Sequence, residues 1–329
     1  MHPRFFHDPS RRRVVLAAFA AGAGLVGAST VRAQGKYPSQ PIRIVVPFGP
    51  GGLADISTRL TAQKLGEKLG TQVVIDNRPG AGGVVAAQYV LGAAHDGYTL
   101  ILFSNGTTIA TSLLKLPFDP QADFVPVSSL GYFDLNLLVA KDSPFADLKA
   151  LLAESKKRQL TLGTINPGST QHLSGELFKS VTQLNAAIVP FRTSGEVQMA
   201  LQRGDVDVGF ESYAALRGGI DAGVLRALAT TGPARTPWLP KVPTVKEAGV
   251  AGYEVTGWNA LFAPKGTPPA VAAALNAAMR DILAEAELRK RLLGLGVDPK
   301  ASTQAEMATV FERDRLKWAQ VIKQANIKI

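Results

Sequence analysis

Nine short apolar runs, separated by segments of helical periodicity, constrain this 329-residue chain more than any other feature. They are IRIVVPF (42–48), QVVID (72–76), YTLILF (98–103), LNLLVA (135–140), LTLGTI (160–165), AAIVP (186–190), VDVGF (206–210), LRALAT (225–230) and WNALFA (258–263). Several are apolar without alternation, as strands are when both faces of their sheet are covered. Between them Leu53, Ile56 and Leu60 recur at three and four residues with Gly70 as a stop, and Phe311, Trp318 and Ile322 mark one face of a terminal helix. This alternation predicts an α/β fold with mainly parallel sheets and flanking helices.

Three of the strand-to-helix turns are rich in Gly, Ser and Thr: PFGPGG (47–52), FSNGTT (103–108) and GTINPGST (163–170). In open α/β sheets ligands sit beyond the carboxyl ends of the strands, where these turns lie. Two are early in the chain and one is central, so they are expected on two lobes facing one cleft. The chain is expected to cross between lobes near 135 and near 255, giving a first lobe of 34–135 with 255–329 and a second of 136–254.

Residues 1–33 have the pattern of an export signal. Arg11, Arg12 and Arg13 precede the apolar stretch VVLAAFAAGAGLVGA, and small residues at Val31 and Ala33 suit cleavage before Gln34. That stretch is too short and glycine-rich for a good membrane span. Five arginines and one aspartate lie in this segment, so of the formal charge of +10 the remaining 296 residues carry +6. Their basic residues are scattered rather than striped with aromatics, which argues against nucleic acid as a partner. A mild positive field suits an acidic small solute. The chain has no cysteine, which excludes disulfides, thiolate metal sites and cysteine nucleophiles.

The first turn also matches a dinucleotide fingerprint. Gly49-Pro50-Gly51-Gly52-Leu53-Ala54 reads G-x-G-x-x-A, and the second strand ends in Asp76, where such folds place a ribose-binding acid. An NAD-dependent α/β enzyme is therefore the alternative reading. Against it stand the export signal and only two histidines after it, His95 and His172. Gly163 and Gly168 have P-loop spacing, but Ser169 stands where the phosphate-binding lysine would be. What remains there is a helix start with free N–H groups and hydroxyls, which suits a carboxylate. No G-x-S-x-G elbow and no metal-ligand spacing is present, so neither a catalytic residue, a cofactor nor a metal is expected. Asp55 either complements the positive helix end, orients the glycine loop or meets a cationic group; an acid would dock on the Gly51 and Gly52 N–H groups, away from it. Arg192, at a strand end, faces the cleft or the surface. His172 reads as a packed or capping residue.

Taken together, the stretches YPSQPIRIVVPFGPGGLADISTRL, VVIDNRPGAGGVVAAQYV, PFDPQADFVPVSSL, GSTQHLSGELF, RGDVDVGFE, LRALATTGPART and VPTVKEAGVAGYEVTGWNALFAPKGTP resemble, in order and spacing, the Bug family of extracytoplasmic receptors for tripartite tricarboxylate transporters. The resemblance implies a two-lobe fold like a type II periplasmic binding protein, closing as a monomer over a small carboxylate or amino-acid-like solute. It implies integral-membrane transporter subunits as partners and no enzymatic role. Carried over by position, the ligand contacts would be Gly51, Gly52 and Asp55, with Ser104, Asn105, Gly106 and Thr107, from the first lobe. The second lobe would supply Thr164, Gly168, Ser169 and Thr170, with Arg192 and Glu211 at the cleft edge. Asn166-Pro167, Thr193 and Glu211 depart from the residues usual in the family, at positions expected to line the specificity end.

Overall fold

A computed structural model describes residues 37–325; the export-signal reading of residues 1–33 lies outside the described residues. The first lobe begins with β1 (Ile42–Val46), α1 (Leu53–Leu69), β2 (Val73–Asn77), α2 (Val84–Leu91), β3 (Thr99–Ser104) and α3 (Asn105–Leu113). The long strand β4 (Phe124–Ala140) leads to α4 (Leu148–Glu154), β5 (Leu160–Ile165), α5 (Thr170–Thr182) and β6 (Ala186–Phe191). The second lobe continues through α6 (Ser194–Arg203), β7 (Val208–Ser212), α7 (Tyr213–Asp221) and β8 (Leu225–Thr230). The chain then returns through β9 (Thr256–Pro264), α8 (Pro269–Ala284), α9 (Ala286–Leu293), β10 (Val297–Pro299) and α10 (Gln304–Ala325).

Parallel pairing builds the βαβ units of each half, β2–β1–β3 in one and β7–β5–β6 in the other. Antiparallel pairing comes from the chain-crossing strands: β9 joins β3 to β4, β10 adds to β4, and the end of β4 pairs with β7 and β8. The unbroken apolar runs have the predicted cause. Ile42, Ile44, Val45 and Val46 of β1 are fully buried because helices cover the sheet. The first part of β4 escapes sequence reading because Pro126 and Gly131 interrupt it; the register against β9 shifts at both places.

The helices show one difference from their sequence pattern. The buried stripe of α1 runs through Leu53, Ser57, Thr58, Thr61, Ala62 and Leu65 rather than through Ile56 and Leu60. Its hydroxyls can face the sheet because each bonds back to the carbonyl four residues earlier, as in Ser57 Oγ to Leu53 O (2.7 Å) and Thr61 Oγ1 to Ser57 O (2.9 Å). The terminal helix α10 straddles both halves. Met307 and Phe311 pack in the first-lobe core with Phe103 and Trp258, whereas Trp318 and Ile322 join Val139, Leu162 and Phe178 in the second.

Asp134 sits where β4 changes partner from β9 to β7. It is the last residue paired with β9, opposite Thr256, and Leu135 is the first paired with β7. Thr256 Oγ1 donates to Asp134 Oδ1 (3.0 Å), and Gly232, on the other crossing segment, lies so close that any Cβ there would collide with the carboxylate. Burial pushes the Asp134 pKa up to about 6, against the Thr256 hydrogen bond and with help from Glu254. A raised folded-state value stabilises the fold below the ordinary aspartate range and loses that contribution as pH climbs through 6. Two units correspond to about 3 kcal/mol. Denaturant midpoints should therefore fall between pH 4 and pH 6.5, and Asp134→Asn should flatten that slope; an unchanged slope in the variant would rule out this assignment.

Candidate functional site

Four helices start at one cleft. From the first lobe come α1, whose N-cap is Gly52, and α3, capped by Ser104; from the second come α5, capped by Ser169, and α6, capped by Thr193. Gly52, Leu53, Ala54, Ser104, Thr170, Gln171, Thr193 and Ser194 all line the larger chamber of the cleft, which is narrow. Phe48, Leu53, Phe133 and Ile165 supply its apolar walls. Each helix start carries about half a positive charge and unpaired N–H groups. Ser169 Oγ accepts from His172 N–H (3.1 Å) and Thr193 Oγ1 from Glu196 N–H (3.3 Å), but α1 has no side-chain cap. Its first turn is the one left to a ligand. Arg192, an exposed residue, lines the same chamber, and its side chain forms no ion pair with any described residue.

A second, smaller chamber adjoins the first through Phe48 and Ser104. Gly106 and Thr107 line it from one lobe and Gly168 and Ser169 from the other, together with Asn166, Pro167 and the glycines of 80–83. The lobes are closed on each other. Thr170 Oγ1 donates to Asn105 Oδ1 across the cleft (2.6 Å), Gly106 faces Gly168 O with no room for a side chain, and Gly49 lies tightly against Arg192 O.

The structure thus brings Gly52, Ser104, Gly106, Thr107, Gly168, Ser169, Thr170 and Arg192 to the cleft surface. The other expected contacts stand elsewhere. Gly51 has φ +82°, and its N–H donates to Asp55 Oδ2 (3.0 Å), so it is not open to an acid as expected. Asp55 also accepts from Arg59 Nε and Asn77 Nδ2 (both 2.9 Å), and Asn77 Nδ2 donates to Phe48 O (3.0 Å). Burial opposes its charge, but the bonds from Arg59, Gly51 and Asn77 outweigh that and hold its pKa below the ordinary value. Asp55 therefore fixes the glycine loop from within and lines neither chamber. Asn105 is buried in the lobe-to-lobe bond, and Thr164 is buried beneath the cleft with no hydrogen bond for its hydroxyl.

Glu211 is not at the cleft edge but fully buried behind it. It accepts from Ser194 Oγ, Gln171 Nε2, Ser212 N–H and Ser212 Oγ, tying together the starts of α6, α5 and α7. Burial raises its pKa, and these hydrogen bonds only partly oppose the rise. His172 is packed as expected; burial lowers its pKa, and Nδ1 accepts from Gly168 N–H (3.4 Å). Asp76 is held in ion pairs, with Arg43 (3.1 Å) and Arg78 (3.0 Å) both engaging Oδ2, and it lines neither chamber. Sequence reasoning missed Phe133, Gln171, Ser194 and Asn259, which all line the larger chamber. The visible signal for the last was a single amide within an apolar strand, WNALFA.

Residues 57–327 match the family model described as the tripartite tricarboxylate transporter family receptor. The chain belongs to that receptor family. The Bordetella pertussis protein BugT is 33% identical over 97% of this receptor and 99% of its own length. The Rhodopseudomonas palustris protein Rpa4515, solved with adipate, superposes with a TM-score of 0.85 at 34% identity, covering 89% of the receptor and 99% of that chain. MatC of the same organism, solved with bound malate, superposes at 0.83 with 32% identity, covering 87% and 100%. The receptor therefore has the two-lobe architecture of periplasmic solute-binding proteins and is a Bug-type protein.

Proposed function

We propose that this receptor, exported by a signal peptide cleaved after residue 33, captures a small carboxylate-bearing solute between its lobes and delivers it to integral-membrane transporter subunits. The carrying observation is the convergence of four helix starts and the unpaired Arg192 on one closed cleft that several neutral donors line. Helix N-termini stabilise a carboxylate without a full counter-charge. A solute that contacts both lobes at once shifts the population toward the closed form. Related receptors solved with adipate and malate support an acid as the ligand class. The lobes are divided as 34–135 with 255–329 against 136–254, and the receptor works as a monomer with no catalytic step. The solute's carboxylate is held by Gly52 and the first turn of α1 on one side and by Thr170 and Arg192 on the other. Ser104, Gly106, Thr107, Gly168 and Ser169 surround the remainder of the solute.

Calorimetry of the ligand-free mature protein against mono- and dicarboxylates and amino acids tests this reading. At least one acid should bind with micromolar or tighter affinity, weakening when Arg192 is replaced by Ala. Absence of binding across the panel by demonstrably folded protein would contradict it.

A further inference from the structure

One polar side chain on the strand floor of the cleft, Asn259, has an amide nitrogen without a partner. Ser104, at the end of β3, and Asn259, on β9, are directly opposite each other in an antiparallel pair and so share one face of the sheet. Both line the larger chamber, and Ser104 also lines the smaller one. Each is 2% exposed. Asn259 Nδ2 makes no hydrogen bond with any described residue, whereas Ser104 Oγ faces the Thr107 N–H in the capping box that starts α3. On its other side Asn259 is opposite Gly131, which has no side chain to serve as a partner. Buried donors without acceptors are costly, and native proteins keep them where a ligand or water completes them.

Asn259 is also of a different kind from the rest of the site. The carboxylate-binding N–H groups are at helix starts, whereas Asn259 projects from a strand among Phe48, Phe133 and Ile165. An alkyl chain lying along those apolar walls would leave the floor amide unpaired. A chain carrying an oxygen would complete it.

We propose that Asn259, with Ser104 beside it, is a specificity-determining residue that reads a hydrogen-bond-accepting oxygen on the solute's carbon chain. The preferred solute is then a hydroxy- or oxo-substituted carboxylic acid rather than its unsubstituted analogue. This inference rests on the proposed carboxylate-binding function. A site with a dedicated polar partner discriminates strongly against an analogue lacking the group, because the partner is then left unpaired.

The test is a matched pair of acids of equal chain length, malate against succinate, titrated by calorimetry into wild type, Asn259→Ala and Ser104→Ala. Wild type should bind the hydroxy acid at least tenfold tighter. Asn259→Ala should reduce that preference to under threefold by weakening malate, with succinate changed less than threefold. Ser104→Ala should reduce it partially, and it keeps the test decisive if the Asn259 variant fails to fold. Equal preference in wild type, or a preference that survives in the folded variants, would overturn the proposal. If other acids bind but neither of this pair does, the comparison is made on the hydroxy and unsubstituted forms of the acid that binds, with the same criteria. If no acid binds wild type, the carboxylate reading fails and this inference fails with it.

Discussion

Gly106→Val should abolish solute binding while leaving each lobe folded. Gly106 is the second residue of α3, and a Cβ there would stand 2.7 Å from Gly168 O and 3.1 Å from Thr170 N. Both are backbone atoms of the other lobe, so no rotamer change can relieve the collision; the lobes must part. Parting them breaks the Thr170 to Asn105 bond and separates the α1 and α3 starts from those of α5 and α6. The open form still buries its own cores, and replacing a helical glycine is not itself unfavourable for the helix. We therefore expect at least a hundredfold loss of affinity, about 2.7 kcal/mol, with a melting temperature close to wild type. Small-angle scattering should show no solute-induced compaction. Wild-type affinity in this variant would mean that the closed arrangement is not the binding form.

The largest effect on stability is expected at Glu211. Its side chain is fully buried and is the common acceptor for Ser194, Gln171 and Ser212. Glu211→Ala leaves these donors unpaired and opens a cavity beneath the cleft, a combination that costs about 3–5 kcal/mol. A melting temperature roughly 5–8 °C lower follows for a chain of this size. Solute binding should weaken as well, because Ser194 and Gln171 lose the group that orients them. Glu211→Gln behaves differently. The amide mimics the protonated acid: it can donate to Ser194 and still accept from Ser212 N–H. Because burial raises the Glu211 pKa, the carboxyl stabilises the fold most below the ordinary glutamate range and loses that contribution as pH rises. Glu211→Gln should thus compare more favourably with wild type at pH 8 than at pH 5. The opposite order would show that the ionised form is the native one.

Much of this site was legible in the sequence. PFGPGG, FSNGTT and GTINPGST are local patterns, and local geometry places each at the carboxyl end of a strand. What a pattern cannot show is which donors are already used. Gly51 looked like an anion-binding N–H, yet Asp55, four residues on, occupies it. Arg59 and Asn77 complete that lock from one helical turn and one strand away, a relation visible only in three dimensions. The resemblance implies Glu211 at the cleft edge, but three helix starts enclose it. Phe133 and Asn259 come from the crossing strands, whose long-range antiparallel pairing no periodicity encodes. The same crossing hides the first part of β4, because its proline and glycine are accommodated by register shifts that a single strand does not reveal.

A crystal structure of the mature receptor with its tightest-binding acid tests the central claim most directly. Carboxylate oxygens should lie at hydrogen-bonding distance, about 2.7–3.2 Å, from first-turn N–H groups of α1 and from the start of α5 or α6. An acid bound outside the cleft, or one inside it whose carboxylate touches none of these helix starts, would contradict it.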